Sequence, residues 1–361
     1  MTTHSETSEP ERQTDERMSV KLEQQGAAAI ATLGQAQPDG NPDFHAALMS
    51  WFPKLARDPG VYAVVVRQAR QSTTSPPSPA IAPHEATIAA DLRLNWLHEC
   101  FSKPTVSLLD GSVDASHLRL TLNGTHRVAG DEFKLQFAPP GDARIPWLGL
   151  THALARLPHA IGTYIALTAP VLDRADALAL NLITHCLPSA DFATVVHELA
   201  DANPVDPILD DRHVDPGPPP LLKNVEKIEK YFATPDLQDT VARLAKPSTG
   251  DQEWAGITLR DIQKNTPLAA AIMFSVIRKA AALDMRQCLI EEYRVASRLS
   301  QEETSKRQTN GLNKNNNISN EWGNNALPER LDQTRLAPYF TRPERGDIEL
   351  LDRKDMQEHR V

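Results

Sequence analysis

Cysteine is scarce in this chain: Cys100, Cys186 and Cys288 are the only three, and they lie far apart. That spacing excludes a disulfide framework and a paired-cysteine metal site, and leaves reduced thiols in a cytoplasmic protein as the simplest reading. Aromatic residues are 5% of the chain against 40% apolar residues overall, so the interior is packed from Ala, Leu and Val and no aromatic binding face is expected. Positive charge is also in deficit. The 38 Lys and Arg are outnumbered by 47 Asp and Glu, for a net charge of −9, and no block is strongly basic, so a nucleic-acid partner lacks its electrostatic footprint. Long hydrophobic runs are missing too. Gly60–Val66 and Pro267–Ile277 are closed by Arg67 and Arg278, short of the roughly 18 residues a membrane span requires. A soluble protein is expected.

What is present suffices for a sizeable core: 361 residues allow one large or two modest domains. Residues 1–22 are polar, with no apolar segment in Met1–Met18 to act as a signal, and read as a disordered tail. Residues 23–203 form the core. Ala27–Leu33 suits a buried strand, Phe44–Leu55 a helix, and Tyr62–Val66, rich in β-branched residues between turn signals, a second strand. This order suggests parallel pairing through a crossover. Gln71–Pro83, with four prolines, reads as a surface loop, Ile88–Phe101 as a helix, and Thr105–Leu109 as a third strand turning at Asp110-Gly111. Ser116–Gly124 is ambiguous between the two periods; Arg127–Ala129 and Phe133–Phe137 are short strands. Helical spacing then dominates through Leu148–Leu157, Ile161–Leu167, Ala175–Leu180 and Phe192–Ala202, with Ile183–Leu187 as one more strand or turn. Residues 204–220 form a Pro/Asp-rich connector, 221–300 a helical region, and 301–361 an irregular tail with short helices and an Asn-rich stretch at Gln308–Asn325.

Four segments of this core carry a likeness. Lys103-Pro104-Thr105-Val106-Ser107-Leu108-Leu109-Asp110-Gly111 resembles the KPxVAxIxG strand and turn of the crotonase (enoyl-CoA hydratase/isomerase) superfamily. Gly124-Thr125-His126-Arg127-Val128-Ala129 resembles its HGxxRVA segment. Ile161–Thr168 resembles the helix that ends in ALTG, with Ala169 replacing the last glycine, and Asp176–His185 resembles the element that follows. Asn265-Thr266-Pro267 and Cys288–Arg294 resemble the later helices of the 3-hydroxyisobutyryl-CoA hydrolase branch. The resemblance spans most of Ala27–Leu336 and needs no gaps over Lys103–His185. It implies an α/β fold, a crotonase-like ββα spiral with a helical C-terminal region.

The same register implies where chemistry would reside. A thioesterase of this kind aims two backbone amides at the carbonyl oxygen, and losing one donor costs about 2.7–4 kcal/mol of transition-state stabilisation. The resemblance implies an AGGD-like loop between Val66 and Ala90 for one of them, and this chain has none there. The family's glycine run falls on Ala115-Ser116-His117, where Ser116 still offers an N–H but the side chains of Ser116 and His117 crowd the approach. The catalytic glutamate falls on Pro139 and the later aspartate on Trp147, neither of which titrates. The family's EYxLN stretch reads Asp91-Leu92-Arg93-Leu94-Asn95, so Asp91 keeps an acidic group for the acyl site. The expectation is a catalytically impaired member that binds acyl-CoA or plays a structural part, as a homo-oligomer or with an active paralogue. The alternative is an active 3-hydroxyisobutyryl-CoA hydrolase of valine catabolism using Asp142 or Asp91. No cofactor or metal is expected beyond the coenzyme A thioester itself.

Plainer roles compete for each of these residues. Asp142 suits a turn with Gly141. His117 and His126 lack the supporting Cys/Asp cluster of a metal site and read as solvated or backbone-bonded. Asp91 reads equally as an exposed helix-start residue. Ser116 lacks the GxSxG elbow of an activated nucleophile, and Trp147 is a core-filling aromatic. Glu291, Glu292 and Arg294 read as a solvated helical face.

Overall fold

The computed structural model describes residues 20–34, 42–68, 85–114, 121–137, 149–309, 322 and 333–352. The chain opens with β1 (Val20–Gln25), which folds back antiparallel on β2 (Ala28–Leu33). This first strand begins inside the stretch read as a polar lead-in. Helix α1 (Pro42–Arg57) then leads to β3 (Ala63–Gln68), and α2 (Glu85–Cys100) to β4 (Thr105–Leu109). The β-branched run Val64-Val65-Val66 pairs parallel with Thr105-Val106-Ser107, and β4 is buried along its whole length, as a strand covered on both faces must be.

From β4 onward the chain alternates between two sheets. Strand β5 (Ser112–Asp114) leaves the first sheet at the Asp110-Gly111 turn; β6 (His126–Ala129) returns, and β7 (Lys134–Gln136) leaves again. Helices α3 (Thr151–Leu154) and α4 (Ile161–Thr168), strand β8 (Val171–Asp173), helix α5 (Arg174–Ala179) and strand β9 (His185–Cys186) complete the spiral. The larger sheet runs β1-β2-β3-β4-β6-β9, parallel from β2 to β9, and the smaller runs β5-β7-β8. At Gly162 the carbonyl of Leu154 lies against the Cα, leaving no room for a side chain between α3 and α4.

One face of the large sheet packs under α1 and α2 through Leu48, Phe52, Val64, Val66, Leu94 and Leu97. The other face packs on α6 (Phe192–Ala200) and α7 (Val205–Asp210). Helix α7 lies inside the Pro/Asp-rich connector; its Pro207 occupies the first turn, where a missing N–H costs nothing. Helices α8 (Val225–Phe232), α9 (Leu237–Ala245), α10 (Gln252–Gln263), α11 (Pro267–Ala280) and α12 (Met285–Thr309) form the C-terminal region and share the largest apolar cluster with the small sheet. Thr266 caps α11 by accepting from the Ala269 N–H, with Pro267 as its first residue. No described helix is long and apolar enough to cross a membrane. The connection from β2 to α1 and that from β3 to α2 both start at the carboxyl edge of the parallel strands, so the first turns of α1 and α2 stand on that edge.

Candidate functional site

In open parallel sheets, ligands bind outside the carboxyl ends of the strands. On that edge, α2 is fixed from several sides. At its start, Glu85 accepts from the Tyr293 hydroxyl at 2.9 Å and from the Ser297 hydroxyl at 2.9 Å, both on α12. Burial is the main cause that pushes the Tyr293 phenol above its usual range, and the Glu85 hydrogen bond adds to it. Two turns on, Asp91 meets His45 of α1: Nε2 and Oδ1 are 2.6 Å apart, with side chains only 13% and 6% exposed. One further turn along the same face, the Asn95 amide donates to the Asp91 carbonyl at 3.0 Å and lies against Gly149. Gly149 has φ +85°, and a Cβ there would come within 2.8 Å of the Asn95 side chain, so both the backbone and the packing require glycine.

Gly149 is held from the opposite side by Glu292. This carboxylate is fully buried and accepts from the Gly149 N–H, the Thr151 N–H and the Thr151 hydroxyl. With both oxygens engaged, Glu292 fixes the chain that enters α3. It is therefore not part of a solvated helical face, which corrects the reading from charge pattern: Arg294 bonds Glu291, its i,i+3 neighbour, at 2.6 Å and Asp347 at 2.7 Å, while Glu292 turns inward.

Of the catalytic and substrate-binding positions that the family register implies, Asp91 alone lies among the described residues. It is not an exposed helix-start residue: it sits in the second turn of α2, turned toward His45. Ser116, His117, Pro139, Asp142 and Trp147 lie outside the described residues. His126 is neither solvated nor backbone-bonded; its Nε2 meets Asp206 at 2.8 Å and its Nδ1 meets the Thr125 hydroxyl at 2.8 Å. The residues that sequence reasoning missed are His45, Asn95, Gly149 and Glu292. Only the Asn of the EYxLN-like stretch carried any signal. Among the described residues, no group of three or more His, Cys, Asp or Glu side chains is placed to hold a metal ion. All three cysteines are buried and outside any disulfide, and burial pushes the Cys186 thiol up to about 11 and the Cys288 thiol up to about 12, so neither is an activated nucleophile.

Comparison with known proteins places these features in context. The profile of the family described as Enoyl-CoA hydratase/isomerase matches residues 62–315. The 3-hydroxyisobutyryl-CoA hydrolase 1 of Arabidopsis thaliana is 25% identical over 353 residues, covering 91% of this chain and 93% of that protein. The small ribosomal subunit protein mS47 of the same plant is 27% identical over 209 residues, 56% of this chain and 51% of that protein. Among solved structures, a carnitinyl-CoA dehydratase from Mycobacterium thermoresistibile superposes with a TM-score of 0.73 at 21% identity, over 92% of this chain and 98% of the other. An enoyl-CoA hydratase from Rhodobacter sphaeroides gives 0.69 at 21% identity, over 92% and 99%. At that identity the two structures share the fold.

Proposed function

Because this chain belongs to the enoyl-CoA hydratase/isomerase family, on its 3-hydroxyisobutyryl-CoA hydrolase branch, we propose that it binds an acyl-CoA thioester on the carboxyl edge of the large sheet and hydrolyses it poorly. The architecture is the crotonase-like spiral with a helical C-terminal region. The observation that carries the proposal is the gapless register over Lys103–His185, which sets Pro139 and Trp147 where the resemblance implies a glutamate and an aspartate. The framework around that register supports it: β4, β6, α4, α5 and β9 fall on the resembling segments, and Glu292 and Asn95 fix Gly149 two residues beyond Trp147.

Calorimetry of the full chain with coenzyme A and with 3-hydroxyisobutyryl-CoA, beside an assay of thiol release, tests this. Heat of binding with slow thiol release is expected, and Pro139→Glu combined with Trp147→Asp should raise the rate by about 10²-fold, the lower end of what a positioned acid/base group contributes. No heat at millimolar ligand would overturn the binding, and wild-type turnover above about 1 s⁻¹, within the ordinary enzymatic range, would overturn the impairment.

A second reading is a structural subunit, favoured by the match to a protein named as part of the small ribosomal subunit. The net charge of −9 disfavours direct contact with RNA, so such a role would run through protein partners or further copies of this chain. Co-purification from the native cell with sizing against the lone chain distinguishes it.

A further inference from the structure

The outer face of α2 and the facing side of α12 form a groove, and the chain's own residues 347–351 lie in it. That segment belongs to no helix or strand, so its contacts with the groove walls hold it in place. Its side chains alternate: Ile348 and Leu350 are buried among Ile88, Leu92, Trp96, Leu289 and Tyr293, whereas Glu349 and Leu351 face out. Three successive carbonyls are held from the walls. Arg93 Nε donates to the Glu349 carbonyl at 3.3 Å, Arg286 Nη2 to that of Leu350 at 3.0 Å, and Trp96 Nε1 to that of Leu351 at 2.5 Å. Ahead of them, the Arg294 guanidinium grips the Asp347 carboxylate through Nε at 2.7 Å and Nη2 at 2.8 Å. Bonds to main-chain atoms ignore side-chain identity, while pockets for alternate side chains and a charge clamp read it. Together they make a peptide-recognition site.

Charge selects the occupant. In a chain of net charge −9, Arg93, Arg286 and Arg294 converge on this groove, and the segment lying there, Asp347-Ile348-Glu349-Leu350-Leu351-Asp352, is acidic. Glu291, on the groove wall, takes only the Arg294 Nη1, at 2.6 Å, and leaves the other two nitrogens to Asp347. The resident fit is incomplete. Arg286 Nε is buried with no hydrogen-bond partner among the described residues, so an acceptor brought by another chain would add a bond that the resident segment does not make. We propose that the α2–α12 groove is a peptide-binding site for a partner protein presenting an extended acidic segment of pattern Asp-apolar-x-apolar, and that residues 347–351 are its built-in competitor. Being tethered, the resident segment acts at an effective concentration of about millimolar order, so a partner enters when that segment is loosened. This site is independent of the thioester reading, which concerns the carboxyl edge of the large sheet.

The test uses the full chain and a fluorophore-labelled synthetic peptide of the sequence Thr341–Asp352, with binding read by anisotropy and folding by circular dichroism. The double variant Asp347→Ala, Leu350→Ala weakens the resident segment and leaves the groove walls intact. It should bind the peptide at least about tenfold more tightly than wild type. Adding Arg294→Ala to that variant, or Ile348→Ser and Leu350→Ser to the peptide, should each weaken binding by about tenfold or more. A folded double variant that shows no binding at about millimolar peptide overturns the proposal, as does equal binding by wild type or binding that neither change weakens. If the double variant fails to fold, the full chain carrying Leu350→Cys decides, through its rate of modification by a thiol reagent. The three native cysteines are buried and set a slow baseline. Modification well above the wild-type rate, quickened further by the free peptide, is expected. A rate no faster than wild type, or one that the peptide leaves unchanged, would show a segment inseparable from the core and overturns the proposal.

Discussion

At the scale of single residues, Ala169 shows how a departure from a family pattern translates into energy. It closes α4 at φ +46°, ψ +54°, in the left-handed region where a side chain strains the backbone by about 1–2 kcal/mol. The resembling helix ends in glycine at that point. Ala169→Gly removes the strain and gives back about 0.4–1 kcal/mol through the freer unfolded chain, so a net gain of up to about 1 kcal/mol is expected. It would show as a higher denaturant midpoint at unchanged slope. A lower midpoint would mean that the Ala169 methyl packs better than its backbone suffers. Glu292 is the opposite case, since nothing local marks it as buried. In sequence it is one of two adjacent glutamates before an arginine; its inward direction is set only by the meeting of α12 with the start of α3. His45 and Asp91 were likewise invisible as a pair, because 46 residues separate them and only the packing of α1 on α2 brings the ring to the carboxylate.

At the scale of elements, β6 and β9 each begin at the histidine of a Thr-His step, and the two histidines face two aspartates one turn apart on α7. His126 meets Asp206 at 2.8 Å, and His185 meets Asp210 at 3.1 Å while its Nδ1 contacts the Thr184 hydroxyl. Burial is the larger influence on His185 and lowers its pKa despite Asp210, with His126 and His213 acting in the same direction. A folded-state value below the unfolded one, near about 6.5, means the fold favours the neutral ring. That contribution is fully present above about pH 6.5 and is lost as pH falls through the lowered folded value. His185→Gln should therefore flatten the stability profile below about pH 6.5, read as denaturant midpoint against pH, and an unchanged slope would refute it. The carboxylate of Asp131, lowered first by the Ser189 N–H, is lost only at more acid pH, and His152, lowered mainly by burial, contributes to the same window in wild type and variant alike.

The elements legible in advance were those with strong local signals. The Val-rich β3 and the Lys-Pro-bounded β4 lie at or near their expected positions, and α8 and α11 fall in the stretch 221–300 read as helical. Strand β1 was hidden because VKLEQQ is an edge strand with mostly polar residues, held by pairing with β2 alone. Strands β5 and β8 are three residues each, too short for any period to register. Helix α7 was hidden by prolines that its first turn tolerates.

At the scale of the whole molecule, α2 is where the layers meet: the sheet lies beneath it, α1 and α12 beside it, and the chain segment 347–351 over its outer face. That segment forms no regular element, yet its carbonyls are gripped in succession by Arg93 at Glu349, by Arg286 at Leu350 and by Trp96 at Leu351. Arg294 clamps Asp347 through two nitrogens and holds its carboxyl below the usual range. Ile348 and Leu350 are buried in one cluster with Ile88, Leu92, Trp96, Leu289 and Tyr293, so the C-terminal segment covers the outer side of the helix that carries Asp91. Neighbouring leucines separate the two contributions. Leu350, 5% exposed, fills the cluster, whereas Leu351, 61% exposed, offers only its carbonyl. Leu350→Ala is expected to cost about 2–5 kcal/mol through the lost transfer energy and the cavity. Leu351→Ala should stay within about 0.5 kcal/mol, because its backbone bond to Trp96 survives. Denaturant unfolding of the two variants, with limited proteolysis at the C-terminal segment, checks this. Equal losses would mean that the backbone grip alone holds the segment, and in that case Trp96→Phe should release it while Leu350→Ala does not.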